Sequence, residues 1–96
     1  MTVTDVRIRR LCEHEKMKAV FSVTFDNMLV IHDVKVIENE DKTFIAMPSR
    51  KTKDGNYVDI VHPITSDLRE EIEKSVLDVY YKTAASENHL FEEPTV

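Results

Sequence analysis

From Met17 to Phe25 the chain alternates without a break, with Met17, Ala19, Phe21, Val23 and Phe25 on one side and Lys18, Val20, Ser22 and Thr24 on the other. A period of two is that of an extended strand whose one face lies on a core, so it demands both a pairing strand and an apolar cover. The pairing strand follows at once. Asp26-Asn27 is a turn signal, because Asn tolerates the left-handed backbone region in which a glycine would otherwise be expected. Leu29 to Ile37 is then a third strand, with Val30, His32, Val34 and Val36 on one face and Leu29, Ile31, Asp33, Lys35 and Ile37 on the other. Both faces are largely apolar, which places this strand centrally, under a helix on one side and a dimer partner or a loop on the other.

The remaining strands are shorter. Val3, Asp5 and Arg7 alternate with Thr4, Val6 and Ile8 in a first strand that Arg9 and Arg10 end, and Glu13-His14-Glu15 is a polar turn. After the solvated stretch Glu38 to Lys42, Thr43 to Met47 forms a fourth strand and Tyr57 to Val61 a fifth. Beyond Pro63 the period changes. Leu68, Ile72, Val76, Val79 and Tyr80 make a single helical stripe, with Asp67 as the cap and Glu70 three residues on in a capping box. Arg69 with Glu73, Glu70 with Lys74 and Asp78 with Lys82 are spaced for ion pairs on the outer face. From Ala84 onward no period remains. The fold expected is α+β: a five-stranded, mostly antiparallel sheet with a C-terminal helix, occupying residues 1–85, followed by a disordered acidic tail over 86–96.

Ninety-six residues make one small domain, and a chain of that size buries only about 60 to 65% of the surface its unfolded form exposes. Its thin core favours a homodimer. Cys12 is the single cysteine, which excludes an internal disulfide. No apolar run approaches the ~18 to 20 residues of a membrane span, and the N-terminal arginines are not followed by the apolar stretch of a signal peptide. A cytoplasmic protein without a membrane role is expected. The net charge of −5 argues against indiscriminate coating of nucleic acid, so any contact with a polyanion must be local.

One local feature meets that condition. Between Pro48 and the turn dipeptide Asp54-Gly55, which contains the only glycine of the chain, stand Arg50, Lys51 and Lys53. On composition alone such a loop is a solvated turn. A second basic group, Arg7, Arg9, Arg10, Lys16 and Lys18, lies across the first hairpin and is diluted by Glu13 and Glu15. His32-Asp33 and Asp59 with His62 are the one set resembling a metal or hydrolytic site. Neighbours on a strand face opposite ways, and no nucleophile stands in a strained elbow, so Asp33, Asp59 and His62 are expected instead to form buried hydrogen bonds at the base of the loop. Cys12 and His14 form a lone Cys-x-His with no second pair to complete a zinc site. No metal, cofactor, small-molecule substrate or catalytic role is expected.

The run Met47-Pro48-Ser49-Arg50-Lys51-Thr52, then Asp54-Gly55, then Asp59-Ile60-Val61-His62-Pro63-Ile64 resembles the signature of the stage V sporulation protein G (SpoVG) family. Val3 to Arg9 and Val30 to Ile37 are similar to the family as well, so the resemblance covers about residues 2–82. It implies a bacterial regulator of septation, sporulation or global gene expression that binds DNA site-specifically and RNA also. It also assigns nucleic-acid contact to the basic pair Arg50 and Lys51, with Lys53 as a third. The sequence departs from the usual pattern at Lys53, where proline is common, and at Val58, where a basic residue is frequent. The alternative is a protein-interaction adaptor that uses an exposed sheet edge or the helix, without direct nucleic-acid binding.

Overall fold

The structure is a computed structural model that describes residues 1–12 and 16–90, side chains of 85–90 excepted. Its main sheet has four strands, β1 (Val3–Leu11), β2 (Met17–Phe25), β3 (Leu29–Glu38) and β4 (Thr43–Ala46), paired antiparallel in the order β1-β2-β3-β4. One helix, α1 (Ser66–Leu90), lies across one face. The alternation of β2 works as expected. Ala19, Phe21, Val23 and Phe25 are buried, and with Val34, Val36, Ile45, Met47, Ile72, Val76 and Tyr80 they form the core. Each Val, Ile, Phe or Met side chain among them, taken from water, contributes about 1.5 to 3 kcal/mol. The helical stripe also holds, since Ile72, Val76 and Tyr80 are buried and Leu68 and Val79 pack at its margin.

The expected fifth strand does not join this sheet. Tyr57–Asp59 (β6) pairs instead with Ser49–Lys51 (β5) in a separate two-stranded ribbon, so the stretch expected as a loop is itself half of a hairpin. Pro48 is the physical reason: it has no backbone N–H with which to continue the ladder beyond Met47, and the chain leaves the sheet there.

Bulges correct the face assignments at both ends of the first hairpin pair. In β1 an extra residue between Val3 and Asp5 turns Val3 to the same side as Val6 and Ile8. A second, between Ile8 and Arg10, carries the strand on through Arg9 and Arg10 to Leu11, where the sequence suggested an end. In β3 the register slips opposite Phe21 to Val23, and there Asp33 has φ 63°. Asp is among the few residues that enter this region at modest cost. The slip puts Ile31 on the core side with Val34 and Val36, so the simple alternation expected for this strand fails.

The β2–β3 turn has positive φ at both Asp26 and Asn27, the pattern of a type I′ turn, and closes with the Met28 N–H on the Phe25 carbonyl at 2.9 Å. The polar turn at Glu13-His14-Glu15 lies outside the described residues. The helix is capped two residues earlier than expected: Thr65 Oγ1 accepts the Leu68 N–H at 3.2 Å and the Thr65 carbonyl accepts the Arg69 N–H at 3.1 Å. Asp67 is a first-turn acid rather than the cap, and no capping box with Glu70 forms. Of the three ion pairs expected on the helix, Asp78–Lys82 is present at 3.2 Å and the other two are not. Glu71, turned inward, accepts the Val3 N–H at 2.8 Å and ties the helix to the start of β1. The helix extends to Leu90, into the stretch expected as tail, of which residues 91–96 lie outside the described residues.

Candidate nucleic-acid interface

Arg50, Lys51 and Lys53 all lie on the β5–β6 ribbon, exposed. The ribbon packs on no other strand and not on the helix. Its base is held where the Ile60 N–H meets the Pro48 carbonyl at 2.8 Å, and its far end where the Thr52 N–H meets the Asn56 carbonyl at 2.7 Å. Beyond that pair, Lys53, Asp54 and Gly55 form a three-residue loop, closed by the Gly55 N–H on the Thr52 carbonyl at 3.1 Å, with Gly55 at φ +87°. This is the arrangement of a type I turn followed by a left-handed residue, and it explains why the one glycine of the chain stands here.

The tip is further ordered by its own side chains. Thr52 Oγ1 donates to Asp54 Oδ1 at 2.6 Å, and Asn56 Nδ2 approaches Asp54 Oδ2 at 3.4 Å. The Thr52 hydroxyl, more than any other contact, holds the Asp54 carboxyl below the usual carboxylate range. Asp54 is thus a fixed anion beside Lys53.

Cross-strand register separates the two central cations. Arg50 lies opposite Val58 and Lys51 opposite Tyr57. Successive side chains alternate, so Arg50 is on one face of the ribbon, and Lys51 and Tyr57 share the other. Arg50 and Lys51 therefore do not form a pair on one flat surface: one partner contacts both only if it meets both sides of the ribbon. Tyr57, 69% exposed next to Lys51, is a residue that sequence reasoning missed. An apolar run ending a strand reads as core, and nothing in Tyr57 to Ile64 announces that Tyr57, Ile60 and Ile64 face solvent, the last two 64% and 89% exposed.

The polar set expected at the base of the loop is not assembled. Asp33, Asp59 and His62 are exposed, and His62 Nδ1 has only the Pro63 carbonyl nearby at 3.2 Å. His32 is engaged elsewhere, through Nδ1 with Ser22 Oγ at 2.8 Å, while Arg9 Nε donates to the same oxygen at 2.9 Å. This Ser–His contact is not a nucleophile site, because Ser22 is only 3% exposed and its oxygen is covered by the Arg9 donor. Among the described residues no group of His, Cys, Asp and Glu converges to hold a metal ion, and no helix is long and apolar enough to cross a membrane.

The SpoVG family model matches residues 1–82, from the start of the chain through β1 to β6 and two-thirds of α1. The chain belongs to the SpoVG family. It is 57% identical over 82 residues to "Putative septation protein SpoVG" of Clostridium perfringens, covering 85% of this chain and 91% of that one. It is 55% identical over 89 residues to the protein of the same name from Caldanaerobacter subterraneus subsp. tengcongensis, covering 93% and 96%. The likeness to the Thermoanaerobacter protein of that name is also 55%, over 87 residues. The segment matched by the SpoVG model contains the whole ribbon and the whole outer face of the sheet, and it stops short of the last turns of the helix.

Proposed function

We propose that this SpoVG-family chain is a non-enzymatic bacterial regulator, acting in the cytoplasm as a homodimer, that binds DNA or RNA through the β5–β6 ribbon. The observation that carries this reading is a cationic ribbon standing clear of an acidic body, with Arg50 on one face, Lys51 on the other and Lys53 at the tip. A two-stranded ribbon fits a major groove about 12 Å wide. Inserted edge-on, the ribbon would set its two faces against opposite walls, so that cations on both are used at once. Arg50 is suited to a bidentate contact with phosphate or a guanine edge, and Lys51 acts as a point charge. Tyr57 beside Lys51 offers a ring on which an unpaired base can stack, worth about 1 to 3 kcal/mol.

Replacing Arg50 and Lys51 with Ala removes two charges per protomer. Binding to a duplex, followed by fluorescence anisotropy over a salt series, should lose up to about 1.8 units of log–log salt slope per protomer, at ~0.9 per phosphate contact. Parental affinity and slope in a variant that melts like the parent would refute the reading. The exposed Ile60 and Ile64 favour a second possibility, an adaptor that recruits a protein through this apolar stretch. Its affinity would barely change with salt. The same stretch supports the homodimer, for which light scattering should give twice the 11.2 kDa chain mass; a single-chain mass at micromolar concentration would exclude it.

A further inference from the structure

The face of the four-stranded sheet turned away from the helix carries a second cationic surface, and the bulges build it. In β1 the extra residue between Ile8 and Arg10 breaks the alternation, so that Arg9 and Arg10 reach the same side. Arg10 lies opposite Val20, which alternates away from the buried Phe21, and Val20 in turn lies opposite Lys35. Arg9 bonds the outward Ser22 at 2.9 Å. Three cations from two strands thus surround Val20 and Ser22 on β2, with His32 at their margin. Among the described residues the acids of this region are Asp5, which is occupied with Arg7 at 2.9 Å, and Asp33.

Arg9 is the fixed point of the group. Its Nε is spent on the Ser22 oxygen, which His32 braces from the other side at 2.8 Å. Ser22 is the buried polar residue of the sheet, so this anchor is not exchanged for water. The two terminal nitrogens of the guanidinium remain to grip an anion, on a side chain whose ordering has already been accomplished in the free protein.

We infer that the outer face of the sheet is a second phosphate-binding surface, on which Arg9, Arg10 and Lys35 hold the backbone of a nucleic acid strand. The occupant follows from charge: the cations are spread over two strands about 9 to 10 Å apart, suited to a chain of phosphates rather than to a single small anion. The proposal shares with the ribbon reading a nucleic-acid partner and nothing more.

The test uses three full-length variants, each checked for an unchanged melting curve, against labelled duplex and single-stranded oligonucleotides over a salt series. Arg10→Ala with Lys35→Ala, both outside the Ser22 network, should flatten the salt slope by about 1.8 units per protomer. Ser22→Ala keeps every charge but releases Arg9, and should weaken binding about 2- to 10-fold, the cost of ordering one long side chain, with the slope unchanged. The third variant, Arg50→Ala with Lys51→Ala, separates the two surfaces. Parental slope in the Arg10/Lys35 variant alongside lost binding in the ribbon variant overturns the sheet-face proposal and leaves the ribbon. The converse result supports the sheet face and overturns the ribbon. Parental affinity in Ser22→Ala removes Arg9 as the fixed point, and absence of any binding by the parent chain overturns both.

Discussion

Gly55 tests whether the ribbon is a separate unit. A Cβ built at this position meets nothing within 4 Å, so a side chain here collides with no neighbour and the whole penalty is conformational. At φ +87° an L-residue is strained by about 1 to 3 kcal/mol, a β-branched one at the upper end. Because the ribbon packs on no other element, that cost cannot be spread into the core. It falls on a hairpin of two three-residue strands, a size that is marginal by itself in water. Gly55→Val should therefore open the ribbon while the four-stranded sheet and helix stay folded. Native-state amide exchange reads this directly: the Thr52, Gly55 and Ile60 N–H groups, bonded at 2.7, 3.1 and 2.8 Å, should exchange at least about 10-fold faster, since 1.4 kcal/mol is a factor of ten. Amides of β2 and β3 should keep parental rates. Gly55→Asn should fall between, because Asn enters positive φ at lower cost. A fall in exchange protection of β2 and β3 equal to that of the ribbon would refute the reasoning, for it would show that ribbon and body unfold together.

Two further outcomes concern the body. Glu71→Ala removes the acceptor of the Val3 N–H and should cost about 1.5 to 3 kcal/mol in urea unfolding, the range for a hydrogen bond to a charged group, whereas Glu73→Ala should cost less than about 0.5. Tyr80 is pushed above the ordinary tyrosine range by burial first and by the Glu38 carboxylate second, 3.4 Å from its hydroxyl. The folded chain thus holds this proton more tightly than the unfolded chain, so its contribution is complete below about pH 10 and is lost as pH rises through the raised value. Parent and Tyr80→Phe should differ in their loss of stability as pH rises above about 10, the substituted chain losing less; parallel curves would deny Tyr80 a part in alkaline unfolding.

The body was legible in the sequence wherever one period governed. Ala19 to Phe25 and Ile72 to Tyr80 each follow one rule over enough residues for the core to be read off directly. What the alternation could not show were the places where a residue is added. Val3 and Ile31 join the core side, and the first strand runs on through Arg9 and Arg10, because of single bulge residues, which no composition signal announces in a chain that uses Asp33 rather than Gly at the positive-φ position. The ribbon was hidden for another reason. Its strands are three residues long, Ser49–Lys51 is wholly polar, and neither face is buried, so a period of two has nothing to act on. Pro48 and Asp54-Gly55 did mark its ends and bracket the candidate cations, without revealing that Arg50 and Lys51 face opposite ways.

On the proposed reading, that geometry bears on how an acidic chain would hold a polyanion. The helix side presents Asp67, Glu70 and Asp78, all exposed, and the sheet separates them from Arg9, Arg10 and Lys35 on the other face. The molecule measures 44 × 33 × 24 Å, so opposite surfaces are 24 Å apart even across its thinnest dimension. The Debye length at physiological salt is about 8 Å, a third of that distance. The acids of the helix therefore do little to cancel the field at the outer sheet face, while at close range they repel any strand that approaches from the wrong side. On the proposed reading, the net charge of −5 sets orientation more than affinity: a nucleic acid would be admitted from the ribbon and the open sheet face and turned away from the helix. On this argument the helix carboxylates belong to specificity, since neutralising them would let a polyanion associate in more orientations and raise nonspecific binding at low salt without adding a single contact.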